Sequence, residues 1–222
     1  MVIYHLLITL LLLGLTLNFL LNLICFRRLR LGSTGLAGSG EGELVSVLIP
    51  ARNEEKRIGP CLESLMGQSH VEMEILVLDD HSTDGTGRLV EDLARRDARI
   101  RICQGEPLPE GWTGKGWACQ QLGKKARGQW LLFTDADTVH EPGGVAAVLR
   151  EARSRRAALV SLWPRQLALT WSELLVIPFV HVLLLFFCRT GCRDVFVVWV
   201  RPMGSFYFLI VRLMRQSRVM PP

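Results

Sequence analysis

Trp130-Leu-Leu-Phe-Thr-Asp-Ala-Asp137 is an apolar run that ends abruptly in two carboxylates one residue apart, Asp135 and Asp137. A buried strand finishing in Asp-x-Asp puts two hard oxygen donors at a sheet edge. That spacing suits Mg²⁺ or Mn²⁺ bridging to a diphosphate, because such ions keep positions open for phosphate oxygens. The implied chemistry is the handling of a nucleotide-activated substrate. The competing reading is a strand-to-turn junction, where Asp is common because its side chain bonds the nearby backbone, and short motifs carry false positives.

Upstream of this stretch, strands and helices alternate. Residues 45–49 form a β-rich run, and residues 54–66 place Ile58, Leu62 and Leu65 on one helical face. A second unit has a strand over 74–78 and a helix capped by Asp84 or Thr83, with Leu89, Val90, Leu93 and Ala94 inward. A third has a strand over 99–103, a Pro-rich loop, and a helix with Ala118, Leu122 and Ala126 inward that ends near Gly128. Residues 130–134 are the fourth strand. Repeated strand-helix units predict an α/β fold with a mostly parallel sheet covered on both faces, in which ligands bind at the carboxyl ends of the strands. The polar candidates fall at those ends: Asn53 and Glu54, Asp79 and Asp80, Lys115 in the long loop, and Asp135 with Asp137.

In Asp79-Asp80-His-Ser-Thr-Asp-Gly85, one acid can accept hydrogen bonds from a base or ribose while the other orients the loop. Turn and cap chemistry accounts for Asp84 and Gly85. Lys115 sits in Gly111-Trp-Thr-Gly-Lys-Gly-Trp117, a glycine-rich turn entering a helix, which suits backbone and ammonium contacts to phosphate. It is not a P-loop, because Pro109 stands where the first glycine belongs and Gly116 replaces the Ser or Thr. Trp112 and Trp117 can stack on a base or sugar, but packing is the commoner role of aromatics beside an apolar helix face. His81 and His140 read as solvated loop histidines rather than metal ligands.

The 222-residue chain has room for one ordinary domain, an anchor and only a small second domain. Residues 2–26 carry no charge and are long enough to cross a hydrocarbon core of about 30 Å. Arg27, Arg28 and Arg30 follow this stretch without a cleavage site, so it reads as a transmembrane helix with the basic cluster and the folded domain in the cytoplasm. Residues 27–43 form a basic, Gly/Ser-containing linker, 44–165 the folded domain, and 166–222 an apolar membrane-associated tail. Within that tail, residues 174–187 are short for a span and contain Pro178, which predicts an interfacial or re-entrant segment. A net charge of +5, scattered or beside the membrane, points to anionic lipid and not to nucleic acid. The six cysteines show no Cys-x-x-Cys pair or zinc spacing, so buried free thiols are expected.

Together these residues resemble the family 2 glycosyltransferases of the GT-A fold. The likeness runs from residue 45 to about 163 and rests on Ile49-Pro-Ala-Arg-Asn-Glu54, Leu78-Asp-Asp-His-Ser-Thr-Asp84, the Gly114-Lys115 loop and Thr134-Asp-Ala-Asp137. Gly111-Trp-Thr-Gly-Lys-Gly-Trp-Ala118 looks most like the hopene-associated and carotenoid-type membrane glycosyltransferases. The resemblance implies that Ala51, Asn53, Glu54, Asp79, Asp80 and Lys115, with Asp135, hold a UDP- or GDP-linked sugar. It implies that Asp137, helped by Asp135, holds Mn²⁺ or Mg²⁺. It further implies inverting transfer to an acceptor, with the membrane anchor favouring a lipid. A nucleotidyltransferase is disfavoured, since Pro50-Ala-Arg-Asn-Glu54 contains no glycine.

Displacement of a nucleoside diphosphate by an acceptor hydroxyl needs a carboxylate base. Related enzymes carry it, followed by a Gln-x-x-Arg-Trp-like segment, well beyond the metal motif. After Glu151 the only acids here are Glu173 and Asp194, and neither sits in such a motif. The expectation is a truncated or frameshifted acceptor region. Residues 201–222, read from the last nucleotide of the first codon with suitable codons, give Ala-Asn-Gly-Gln-Phe-Leu-Phe-Phe-Asp-Arg-Pro-Ala-Tyr-Glu-Ala-Val-Ala-Gly-His-Ala-Ala. That string looks like the start of the family's acceptor region. Sequencing the gene tests it: the expected result is such codons beneath the tail, and their absence ends the idea. The competing expectation is a genuinely short protein whose tail is a membrane-bound element of its own.

Overall fold

The computed structural model describes residues 1–25, 27–28, 43–69, 71–154, 156–157, 159–163, 170–187, 191–192, 195–199 and 208–212. Most of the basic linker, Cys188, Asp194 and most of the chain from residue 200 onward lie outside these.

Helix α1 (Val2–Cys25) and the short strand β1 (Arg27–Arg28) precede the domain. Then come β2 (Val45–Ala51), α2 (Ile58–Met66), β3 (Met73–Asp79), α3 (Thr86–Arg96), β4 (Ile100–Gln104), α4 (Gly114–Lys125) and β5 (Trp130–Phe133). Helix α5 (Gly144–Ser154), β6 (Leu159–Trp163), α6 (Trp171–Phe187), β7 (Gly191–Cys192), β8 (Val195–Trp199) and β9 (Phe208–Arg212) complete the described elements.

The apolar runs of β2, β3 and β5 are buried on both faces, as central parallel strands must be. Alternation sorts their side chains into two layers. Val45, Val47, Ile49, Ile75, Val77, Trp130 and Leu132 pack with Ile58, Leu62 and Leu65 of α2, Val90 and Leu93 of α3, and Val148 and Leu149 of α5. Leu48, Leu76, Leu78 and Leu131 face the other way, onto Ala118 and Leu122 of α4. Each fully buried Leu, Ile or Val contributes roughly 1.5–3 kcal/mol, so the sheet between these helix layers is the main source of cohesion.

Among the described residues the sheet order is β1-β8-β6-β9-β5-β2-β3-β4, with β7 beside β8. Pairings β2–β3, β2–β5, β3–β4 and β6–β8 are parallel; β9 runs antiparallel between β5 and β6. The sheet therefore takes β8 and β9 from the stretch read as a membrane-associated tail. Both are runs of β-branched and aromatic residues, Val195-Phe-Val-Val-Trp199 and Phe208-Leu-Ile-Val-Arg212, a composition that fits a pleated, packed surface.

Helix α2 begins at Ile58, not at residue 54. Residues 54–57 form a turn ahead of it, with the Glu54 amide donating to Thr86 Oγ1 at 2.9 Å and the Glu55 amide to Asp84 Oδ2 at 3.2 Å, which ties this turn to the start of α3. Residue geometry makes Gly85 the N-cap of α3. Asp84 still supplies the capping oxygen, accepting the Thr86 amide at 3.0 Å. At the amino end of β2, the Gly128 amide donates to Ser46 Oγ at 2.8 Å, and a methyl at Gly128 would meet Leu44 O at 2.6 Å.

Helix α1 has 24 residues, about 36 Å at 1.5 Å per residue, and its apolar side chains are exposed along most of its length. Among the described residues it is the one helix long and apolar enough to cross a membrane. Helix α6 packs against it: Asn18 Nδ2 donates to Phe186 O at 2.7 Å, and the Phe19 and Phe186 rings stack with centroids 4.4 Å apart.

Candidate donor-binding site

Because β2, β3 and β5 run parallel, their carboxyl ends open on one edge of the sheet. A cleft of about 330 Å³ lies there, lined by Pro50, Ala51, Arg52, Glu54, Asp80, Gly114, Lys115, Ala118, Asp135, Ala136 and Asp137. The size suits a small-molecule site. Of the candidates read from sequence, Ala51, Glu54, Asp80, Lys115, Asp135 and Asp137 line it; Asn53 and Asp79 do not.

Asn53 and Asp79 instead fasten the two loops that carry the others. Asp79 is buried, and its Oδ1 accepts the Ser82 amide at 2.9 Å. Asn53 adopts φ 58°, a left-handed conformation that Asn tolerates better than most residues. Its Oδ1 accepts the Thr83 amide at 2.8 Å, and its own amide donates to Ser82 Oγ at 3.0 Å. The loops after β2 and β3 are thus tied to each other, which fixes Asp80 relative to Arg52. Arg52 Nη1 lies 3.7 Å from Asp80 Oδ2, and His81 Nδ1 lies 3.4 Å from Asp80 Oδ1. Arg52 lines the cleft without being one of the candidates read from sequence; its place one residue beyond β2 is the signal that points to it.

Lys115 enters from the first turn of α4, whose N-cap Thr113 accepts the Gly116 amide at 3.3 Å. Its Nζ lies 2.6 Å from Asp135 Oδ1. Trp117 donates through Nε1 to Glu106 O at 3.2 Å and meets Trp112 edge to face at 5.3 Å, which favours the packing role over stacking on a ligand.

Asp137 is half-buried, and its Oδ1 is buried without a hydrogen-bond partner. Burial, reinforced by the Asp135 charge, pushes its carboxyl above the usual 3.8. An unpartnered carboxylate oxygen beside a second carboxylate is what a divalent cation would satisfy. Among the described residues no group of three or more His, Cys, Asp or Glu side chains could ligate a metal. A cation here would take its remaining ligands from phosphate oxygens and water, the habit of Mg²⁺.

His140 corrects the reading of a solvated loop histidine. It is 6% exposed, its Nε2 lies 3.4 Å from Thr134 Oγ1, and burial pushes its pKa down to about 3, so it is a neutral core residue. Cys103 and Cys119 are free but only half-buried, whereas Cys61 is a buried free thiol as expected, pushed up to about 12 chiefly by burial. At that value the thiolate is absent and the residue is inert. Glu173 forms a capping box at the start of α6: its Oε2 accepts the Thr170 amide at 2.9 Å and its own amide donates to Thr170 Oγ1 at 3.3 Å.

A mostly parallel sheet flanked by helices, with acids and a lysine gathered at its carboxyl edge, is an architecture of the GT-A kind. The profile described as Glycosyl transferase family 2 matches residues 46–172, more than half of the 222-residue chain, and the chain belongs to that family. It is 33% identical over 129 residues to the 4,4'-diaponeurosporenoate glycosyltransferase of Staphylococcus haemolyticus (strain JCSC1435), covering 56% of this chain and 33% of that protein. It is 32% identical over 117 residues to the uncharacterized glycosyltransferase EpsJ of Bacillus subtilis (strain 168), covering 53% and 33%. The chain spans about a third of the length of these curated relatives.

Among solved structures, TarS 1–349 of S. aureus in complex with UDP-GlcNAc aligns with TM-score 0.50 and 26% identity over 57% of this chain and 36% of that one. Glucosyl-3-phosphoglycerate synthase of Mycobacterium tuberculosis, in complex with Mn²⁺ and UDP-glucose, aligns with TM-score 0.56 and 19% identity over 82% and 78%. The second likeness is one of fold.

Proposed function

We propose that the chain is a membrane-anchored, inverting glycosyltransferase of the cytoplasmic face. It would carry a sugar from a UDP- or GDP-linked donor to a lipid acceptor of hopanoid or carotenoid type. The observation that carries this reading is the convergence of Asp80, Lys115, Asp135 and Asp137 in one cleft at the carboxyl ends of three parallel strands.

In this reading Asp80, which lines the cleft, accepts hydrogen bonds from the donor's base or ribose. Lys115 and the amino end of α4 present an ammonium and backbone amides to the diphosphate. Ala51 and Glu54 line the same wall, while Asn53 and Asp79 position the loops. When bound at Asp137 and Asp135, Mn²⁺ or Mg²⁺ would neutralise the diphosphate as it leaves. Inversion corresponds to one displacement by the acceptor hydroxyl. The exposed apolar helix α1 supports anchoring, and the diaponeurosporenoate-named relatives support a lipid acceptor.

A second reading is a noncatalytic nucleotide-sugar-binding membrane protein. Glu173 favours it, because one of the two late acids is occupied as a helix cap. Calorimetry on the full chain in detergent, with Mn²⁺ and then UDP- or GDP-sugars, should register binding of one nucleotide class. No heat with either would overturn donor binding. Measured sugar transfer to a lipid extract would eliminate the noncatalytic reading.

A further inference from the structure

The acids and bases of the cleft do not pair evenly. Arg52 stands by Asp80 at 3.7 Å, and Arg57 by Glu54 at 3.8 Å. Among the described residues Lys115 alone makes a close ionic contact with the Asp-x-Asp pair, at 2.6 Å from Asp135 Oδ1, whereas Asp137 Oδ1 is buried without a partner. Lys115 is anchored in the first turn of α4, yet its side chain is 65% exposed, and Asp135 is only 22% exposed. A four-carbon stem on a fixed backbone can swing its ammonium without moving the helix.

Two ligands need the members of this ion pair. A divalent cation held by Asp137 and Asp135 would compete with Lys115 for the Asp135 carboxylate, and a diphosphate at the amino end of α4 would compete with Asp135 for the ammonium. Each ligand arriving alone would draw one member out of the pair and leave the other without its counter-ion, Asp135 at 22% exposure being the less well solvated of the two. With both present, Asp135 would turn from Lys115 to the cation and Lys115 from Asp135 to the diphosphate. From this geometry we infer that Lys115 is a counter-ion exchanged between Asp135 and the donor diphosphate, so that cation and donor enter the cleft as a coupled pair. The inference rests on the nucleotide-sugar reading and adds a second role for Lys115, that of guarding the cation position when no donor is present. By thermodynamic linkage the coupling is reciprocal, so UDP raises Mn²⁺ affinity by the same factor by which Mn²⁺ raises UDP affinity.

The test is Mn²⁺ binding to the full chain in detergent, followed by electron paramagnetic resonance of free Mn²⁺, with and without UDP. In the native chain, Mn²⁺ alone should bind weakly, and UDP should tighten it by about 10-fold or more. Lys115→Met should bind Mn²⁺ alone about 10-fold more tightly than the native chain, with the UDP effect reduced several-fold. Lys115→Arg keeps a cation beside Asp135 and should bind Mn²⁺ alone more weakly than Lys115→Met does. Arg57→Met controls for simple loss of positive charge, because Arg57 pairs with Glu54 at 3.8 Å and not with Asp135. It should change Mn²⁺ affinity by less than about 2-fold. Equal Mn²⁺ affinities in Lys115→Met and the native chain, or equal gains in Lys115→Met and Arg57→Met, would overturn the exchange while leaving donor binding intact. No Mn²⁺ binding to the native chain even with UDP would overturn the donor reading and the exchange together.

Discussion

Asp137→Asn is expected to abolish the Mn²⁺-dependent part of UDP binding, weakening it about 100-fold, or roughly 2.7 kcal/mol, while raising the melting temperature of the metal-free protein. The two effects share one cause. Asp137 keeps a carboxylate oxygen buried with no hydrogen bond, and burial and then the Asp135 charge push its carboxyl upward from 3.8. A charge in that position costs stability until a cation neutralises it. The side chain is only half-buried, so water screens part of the penalty. The expected gain is on the order of 1 kcal/mol, or about 3 °C in a chain of this size. The sign in pH is fixed as well. An acid whose folded value is raised contributes stability that is full below 3.8 and is lost as pH rises through the raised value. Asparagine removes that dependence. Differential scanning fluorimetry with and without Mn²⁺ reads both halves: Mn²⁺ with UDP should stabilise the native chain and leave Asp137→Asn unmoved. A variant that still gains stability from the pair would remove Asp137 from the metal position.

The features legible in sequence were those that local chemistry determines. Strands β2, β3 and β5 are apolar runs, and parallel topology then sends Asp80, Lys115, Asp135 and Asp137 to one edge without further information. The readings that shifted depend on distant contacts. Helix α2 starts a turn later than its apolar spacing suggests, and the turn before it is tied through the Glu54 and Glu55 amides to Thr86 and Asp84. Asp79 and Asn53 carry donor-binding residue types but are committed to Ser82 and Thr83. His140 is a loop residue that looks solvated until Ser64 Oγ accepts its amide at 2.9 Å and the core closes over its ring. Strand β9 enters between β5 and β6, about 75 residues beyond the first of them. Pairing at that separation leaves no local trace beyond an apolar run, because the cost of closing so long a loop appears nowhere in the strand itself.

Glu74→Ala is expected to destabilise the domain by about 3–5 kcal/mol, lowering the melting temperature by about 10 °C, while leaving UDP affinity unchanged at temperatures where the variant is folded. Glu74 lies near the amino end of β3, opposite Ser46 of β2 and away from the cleft at the carboxyl ends. Its side chain is only 4% exposed. Oε1 accepts Ser46 Oγ at 2.6 Å and the Arg127 amide at 2.7 Å, and Oε2 accepts Arg127 Nε at 2.9 Å, with Arg101 Nη1 3.7 Å away. Burial alone would raise this carboxyl, but the bonds from Ser46 and from the Arg127 backbone and guanidinium outweigh it and hold it below 4.5. Removing the carboxylate leaves the buried Ser46 hydroxyl and the Arg127 amide without their acceptor, at about 1–3 kcal/mol each. The guanidinium groups of Arg127 and Arg101 are exposed enough to turn to water and add less. Glu74→Gln keeps an acceptor oxygen and should lose about half as much. The pH dependence runs opposite to that of Asp137: a depressed carboxylate contributes stability present above 4.5 and lost as pH falls through its lowered folded value. Urea unfolding of both variants at pH 7 and pH 4 separates these effects. A melting temperature within about 2 °C of the native chain would show that the cluster adds nothing net. A loss of UDP affinity in the folded variant would show instead that the two ends of the sheet are coupled.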